Sequence, residues 1–562
     1  MEKIFKIFSK EYSNVNQAAL LLGFLTLLSQ ILALFRDRSI AHFIGPGAPL
    51  DAYYAAFRVP DLIFVCIASL ASITVLIPFI GAKMKEGKVT KEAEKFLGDI
   101  FTVFLGGMVL IAVILFFLMP HLIFFIAPGF TPVYQEKAIE LSRIMLLSPI
   151  LLGLSNLFGT VTQLFNRFFI FSLSPIIYNF GIMIGAIFLY PVYGINGLTF
   201  GVIVGAFMHF GIQAIASHYS GFTPRFAASF RAIDFREVKR VALTSLPRTM
   251  GLAFNNIAEI AMTVFASFLT IGSISIFNFS YNLQSVPTAI VGISYAVAAF
   301  PTLARSIRDG RHDHFNAHLK SASRAIVFWS LPATFLFIVL RAQIVRVILG
   351  SGAFSWDDTR LAAACLAIFS LSVLSQGMIA LISRAYYAKG DTKRPLVMNF
   401  ICSVLIIVFA YIFLKVFENA PMFRYFIESL LKVSDIKGTE VLMLPLAYSA
   451  GTILNFILHW IFVKRDFMPK ESFITKTFFQ SLGASFFLGL VSYISLNILS
   501  PIFGTTTFWG VFLQGFISGI LGIAVAIIVL YLLKSEELKD LTQTLHTRFW
   551  KSKIVAPMQE GL

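Results

Sequence analysis

Six charged residues stand where a bilayer makes charge expensive. Arg36, Asp37 and Arg38 close the first long apolar run, Asp51 opens the second, and Arg58 and Asp61 follow inside it. A centrally placed Arg or Asp costs about 2.5–3.5 kcal/mol to insert, so such residues are usually paired or functional. Arg58 follows Asp51 by seven positions, which places the two on nearly one face of a helix. A guanidinium stays charged, offers a planar fork of donors and is less strongly hydrated than an ammonium, which suits it to holding a pyrophosphate. One expectation is a wet, inward-opening cavity lined by these arginines. The other is mutual pairing, Arg36 or Arg38 with Asp37, Asp51 or Asp61, that only fixes the helices. The two are compatible, because substrate phosphate can compete for an arginine.

Other embedded charges suggest less. Glu259, in NNIAEIAMTVF, is a candidate for ion or proton coupling, or else a partner for Arg248 or for a neighbouring lobe. Arg143, Arg167, Arg341 and Arg384 sit near expected interfaces, where snorkelling suffices. His312, His314 and His318 have ligand-like spacing but read as a solvated loop. Cys66, Cys365 and Cys402 lack metal or redox spacing and read as small buried hydrophobes. There is no phosphate-binding P-loop, dinucleotide fingerprint, zinc motif or nucleophile elbow. The expectation is a protein that is not an enzyme, with no catalytic residue, no metal and no cofactor.

The elements that must carry these residues are membrane spans. Of 562 residues, 57% are hydrophobic and only 13% charged, about half the roughly 25% charge of soluble domains. An apolar helix of about 20 residues crosses the hydrocarbon core. That criterion gives fourteen candidate spans, near 15–40, 52–81, 96–119, 137–163, 170–190, 195–217, 241–269, 274–303, 323–345, 361–387, 395–417, 441–463, 475–499 and 507–533. The first is too long for a signal-peptide core and reads as a retained span. Basic loops, such as 82–95, 218–240 and 304–324, alternate with poorly charged ones, which sets both termini in the cytoplasm. The net charge of +16 then faces anionic lipid rather than nucleic acid. The tail from Lys534 is amphipathic and reads as a helix on the inner leaflet or in solvent.

Two stretches resemble each other. Ala55 to Lys88 and Asn282 to Arg311 each carry Val-Pro near the start of a span, a second proline near its end, and then a basic loop with glycine. A weaker echo links the segments ending at Pro175 and Pro395. The copies are about six spans apart, so the expected fold is an all-α polytopic membrane protein with two six-helix lobes in a parallel repeat and two extra C-terminal helices. The corresponding division is 1–220 for the N-lobe, 221–465 for the C-lobe after a basic linker, 466–535 for the last two spans and 536–562 for a cytoplasmic tail. Gly201-x-x-x-Gly205 is expected to permit close helix packing.

These residues resemble a known family. Phe35 to Pro60, with its Arg-Asp, the Phe43 to Gly47 turn and Asp51-Ala-x-x-x-Ala-Phe-Arg-x-Pro60, is similar to the start of the MurJ (MviN) lipid II flippases of the MOP exporter superfamily. Phe265 to Ser275, and Ala385 to Pro395, are similar as well. The resemblance implies alternating access, a headgroup cavity, and a groove for the lipid tail formed by the last two helices. It implies that Arg36, Asp51, Arg58, Pro60, Ser275 and Asn282 occupy cavity positions, and that Na+ or the membrane potential supplies the drive. Gln30, Phe64, Val65, Ser69 and Asn282 stand where the family usually has charged residues, and Met262 where it often has an acidic one. The implied function is translocation of the undecaprenyl-pyrophosphate-linked peptidoglycan precursor across a bacterial inner membrane. Its expected partners are that precursor, membrane lipids and cell-wall synthesis proteins. The alternatives are export of another lipid-linked oligosaccharide or small molecule, and a non-transporting cell-wall scaffold.

Overall fold

The computed structural model describes residues 15–68, 76, 79–80, 83, 90–165, 167–219, 233–467, 474–504 and 507–549. All regular structure among them is helical. Among the described residues ten helices are long and apolar enough to cross a bilayer, and Trp356–Ser370 with Val373–Ala388, bent by 43°, adds an eleventh if the pair is one span. These eleven coincide with predicted spans. The other three predictions, the first, second and seventh, are helical in their described parts, and the second runs beyond the described residues.

In chain order the helices used below are α1 (Val15–Phe43), α2 (Ala48–Ile63), α3 (Lys91–Ile126), α4 (Pro132–Met145), α5 (Leu147–Leu164), α6 (Phe168–Ile184), α7 (Ile195–Tyr219), α8 (Phe235–Ser267) and α9 (Ser273–Pro287). They continue with α10 (His312–Val339), α11 (Lys393–Asn419), α12 (Pro421–Leu431), α13 (Met443–Phe467), α14 (Thr475–Phe503), α15 (Phe508–Leu532) and α16 (Glu536–Phe549). A few helix starts carry side-chain caps. Thr90 Oγ1 accepts the Ala93 N–H before α3, and the Asp234 carboxylate accepts the Arg236 and Glu237 N–H groups before α8. Phe117 and Phe125 of α3 are each 71% exposed, as suits a surface solvated by acyl chains rather than water.

The chain divides into two compact units. One comprises Met1–Val286, Val345–Phe369 and Gly390–Leu458; the other comprises Pro287–Ile344, Ser370–Lys389 and His459–Leu562. In the first unit α6 packs on both α1 and α7. Glycines permit the α6–α7 approach: a Cβ built on Gly181 would lie 2.2 Å from the Gly205 Cα, and one on Gly185 2.6 Å from the Gly201 Cα. The expected role of Gly201 and Gly205 therefore needs glycines on the facing helix too. In the second unit α14 packs on α10 and α15, burying Phe328, Ala484, Leu488, Ala526 and Leu530 together with Leu538 of α16.

The repeated Val-Pro has a structural counterpart. Pro60 lies near the end of α2, which passes directly into a π-helical turn at Phe64–Ala68. Pro287 ends α9, which passes directly into one at Thr288–Ile293. Proline lacks the N–H that would bond four residues back, so it loosens the ladder where a π turn can form. At Pro60 the freed carbonyl is that of Ala56, and it accepts the Ser142 hydroxyl from α4 at 2.9 Å.

Two local expectations change. His312, His314 and His318 lie in the first turns of α10 rather than in a loop, all exposed. Arg167 does not snorkel. It is buried, and its two Nη groups donate to the carbonyls of Ala216 and Tyr219, both at 3.2 Å, at the C-terminal end of α7. Those carbonyls have no partner within the helix, so a cation is favoured there.

Candidate functional site

The first unit encloses a cavity of about 280 Å³ whose polar wall includes Arg36, Asp37, Arg58, Asp61, Asn278 and Asn282, with Tyr53, Tyr54, Tyr178 and Ser148. Pro60, Phe57, Phe64, Leu152 and Ile182 are among its apolar lining. Helices α1 and α2 supply the charged residues, α5 and α6 supply Ser148, Leu152, Tyr178 and Ile182, and α9 supplies both asparagines.

Arg36 takes its carboxylate partner from its own helix. Its Nε and Nη2 donate to Oδ1 of the buried Asp37 at 2.9 and 2.7 Å, and Nη1 donates to Oδ1 of Asn179 at 2.9 Å. The second oxygen of Asp37 accepts the Asn282 amide at 3.0 Å. Arg58 is instead held across helices. Nη1 pairs with Oε2 of Glu259 at 2.8 Å, Nε donates to Thr263 Oγ1 at 2.9 Å, and Nη2 donates to Asn278 Oδ1 at 2.9 Å. Among the described residues each guanidinium thus commits three of its five N–H donors. The Asp61 carboxylate makes no hydrogen bond among the described residues.

The structure therefore brings Arg36, Arg58, Pro60 and Asn282 to one cavity and places Asp51 and Ser275 away from its wall. Asp51 is buried and works as a helix cap from a distance. Its carboxylate accepts the N–H of Gly272 at 2.6 Å, the N–H of Ser275 at 2.8 Å and the Ser275 hydroxyl at 2.6 Å, all at the start of α9. A carboxylate is the favoured group there, because the first turn offers unpaired N–H donors and the positive end of the helix dipole. Close to this cap, the Ala353 N–H donates to the His42 carbonyl at 2.9 Å. Gly45, at φ +71°, packs so tightly on Ala353 that a Cβ would lie 2.6 Å from its carbonyl oxygen. Arg38 turns away from the cavity and donates to the carbonyls of Val347 and Ile348.

Sequence reasoning singled out neither Asn179 nor Tyr178, and it named Glu259 without its partner. Asn179 and Tyr178 are ordinary in an apolar span, and only the packing of α6 on α1 brings them to Arg36. Glu259 was visible, but its partner is Arg58; nothing local to either residue joins two positions 201 apart. Among the described residues no group of three or more His, Cys, Asp or Glu is placed to hold a metal ion.

Helices of this length around a buried polar cavity define a multi-span membrane fold. A solved structure of the lipid II flippase MurJ in an inward closed conformation has this fold, with a TM-score of 0.72 and 22% identity, covering 93% of this chain and all of that one. An inward-facing multidrug resistance MATE family transporter of the MOP superfamily is similar at a TM-score of 0.62 and 15% identity, covering 79% of this chain and 96% of that one. The family model for the lipid II flippase MurJ matches residues 40–512, and the chain belongs to that family. Among curated relatives, a probable lipid II flippase MurJ of Rhizobium tropici is 27% identical, covering 66% of this chain and 71% of its own. The lipid II flippase MurJ of Burkholderia cenocepacia is 23% identical, covering 86% and 91%.

Proposed function

We propose that this chain moves lipid II from the inner to the outer leaflet of a bacterial inner membrane, with both termini in the cytoplasm. The observation that carries the reading is the pair Arg36 and Arg58, which line one polar cavity and each keep two N–H donors unused among the described residues. A pyrophosphate-linked disaccharide cannot cross about 30 Å of hydrocarbon unaided. Guanidinium donors in a low-dielectric cavity replace part of its hydration shell, while the polyprenyl tail stays in lipid.

The ties of Asp51 to α9 and of Gly45 to Ala353 lie at the α1–α2 turn, which the charge rule sets on the outer side. They act as an outer seal, and its opening releases the headgroup. Transport requires the headgroup to bind the inward state on loading and to lose affinity on release. Outward movement of a doubly negative group is also favoured by an inside-negative potential, by about 4.6 kcal/mol per 100 mV. Membrane potential, with or without Na+, is accordingly the proposed drive. Expression of the chain in a bacterium depleted of its own lipid II flippase tests the function. Rescue of growth supports it, and stable membrane insertion without rescue contradicts it.

A further inference from the structure

We propose that Glu259 is an internal anion that occupies Arg58 in the empty cavity and is displaced from it by an entering pyrophosphate. The inference rests on the lipid-linked pyrophosphate reading above.

The two cavity arginines are held in different ways. Arg36 bonds a carboxylate on its own helix, and Asn282 fixes that carboxylate from its other side. Arg58 bonds a carboxylate of another helix, so its choice of partner decides what α2 is tied to. Glu259 and Thr263 lie one turn apart on α8, and together with Asn278 of α9 they take three of the Arg58 donors. The other Glu259 oxygen lies 3.4 Å from the Tyr281 hydroxyl. Removing this network would leave a charge buried without compensation, which is why an empty cavity keeps it.

A phosphate presents two oxygens to a guanidinium as a carboxylate does, with more charge. It can therefore take the place of Glu259 in kind. The local charges favour a consequence for the helices. Two positive groups, Arg36 and Arg58, face three negative ones, Asp37, Asp61 and Glu259. Once Arg58 turns to phosphate, Glu259 loses its cation and faces both Asp61 and the bound anion. Like charges at short range repel strongly at low dielectric, so α8 is driven from α2. Loading thereby breaks the ion pair that ties α2 to α8, and the class of ligand that can do this is a pyrophosphate or phosphate ester.

The test is calorimetric binding of inorganic pyrophosphate to the purified full-length chain in detergent. Glu259→Gln is expected to bind about tenfold more tightly than the wild type, equivalent to ~1.4 kcal/mol. The gain disappears in the Glu259→Gln, Arg58→Gln double variant. Loss of a residue with a merely structural role does not tighten a ligand. Thr263→Val, which removes one acceptor from Arg58 and no charge, gives a smaller gain in the same direction and decides the matter if Glu259→Gln does not fold. If neither variant binds more tightly, while Arg36→Gln loses the binding seen in the wild type, the inference is overturned and the transport reading stands. If the wild type binds no pyrophosphate, or binds it as Arg36→Gln does, the transport reading falls and takes the inference with it.

Discussion

The side-chain amide of Asn282 donates to Asp37 at 3.0 Å, on the oxygen that Arg36 leaves free. Asp37 thus joins α1 to α9 while it orients the arginine beside the cavity. Asn282→Leu removes that bond and leaves a buried carboxylate oxygen without a donor. The expected cost is about 1.5–3 kcal/mol, the usual value for a hydrogen bond to a charged group, read as a lower melting temperature of the detergent-solubilised protein.

Arg36→Ala should abolish rescue of a flippase-depleted strain while leaving the protein in the membrane at normal level. Arg36→Lys should rescue partially at best, because an ammonium keeps the charge but cannot bond Asp37 twice and Asn179 once in the same plane. Growth curves and immunoblots of membrane fractions decide both outcomes.

In the proposed transport cycle Asp51 acts on the seal rather than on the headgroup. Asp51→Ala leaves the first turn of α9 uncapped, at about 0.5–2 kcal/mol. Asp51→Asn keeps an acceptor and costs less. A cysteine at Ile271, 69% exposed beside the capped turn, should react faster with a membrane-impermeant maleimide in Asp51→Ala than in the wild type. Equal rates would show that the carboxylate does not hold this end closed.

The spans were legible because a bilayer demands long apolar helices whatever their order. The cavity arginines were legible because charge in such a helix is costly enough to require a reason. Partnership was not. Arg58 and Glu259 meet only after α2 and α8 pack, and no period within either helix encodes that meeting. Asp51 looked like a cavity residue because it shares a helix face with Arg58, yet the two reach different targets, the first turn of α9 and the side chains of α8 and α9. Arg167 looked like a snorkelling residue because its sequence position lies near an interface, and only the end of α7 shows what it serves.

The tail helix α16 is held by charge as well as by Leu538. Arg324 of α10 bonds Glu536 and, at 2.7 Å, Glu537, while Lys476 reaches Glu536 at 3.1 Å. The Arg324 and Lys476 donors hold the Glu536 carboxyl down at about 2 against an ordinary 4.5. A depressed carboxyl stabilises the docked state in full above its ordinary value and ceases to as pH falls through the lowered one. Docking of α16 should therefore be constant from pH 7 to about 4.5 and weaken toward pH 2, whereas Arg324→Gln should loosen it already at pH 7. A fluorophore on a cysteine at Lys539 reports both through its anisotropy.

The close contact of α6 with α7 makes a steric prediction. Gly201→Val would press a branched side chain onto the Gly185 Cα, 2.5 Å from a Cβ at that site. Overpacking of this kind costs about 1–3 kcal/mol or more. The expected result is reduced yield of monodisperse protein, with Gly211→Val, at a site with nothing within 4 Å, as the tolerated comparison.

The most direct measurement is the exposure of the lipid II headgroup on the outer face of cells depleted of their own flippase, read by cleavage with an externally added headgroup-degrading enzyme. Expression of this chain should restore cleavage, and Arg36→Ala at equal membrane level should not. Unchanged protection with the wild-type chain present, or full cleavage with Arg36→Ala, would contradict the claim that guanidinium groups in a wet cavity carry the headgroup across.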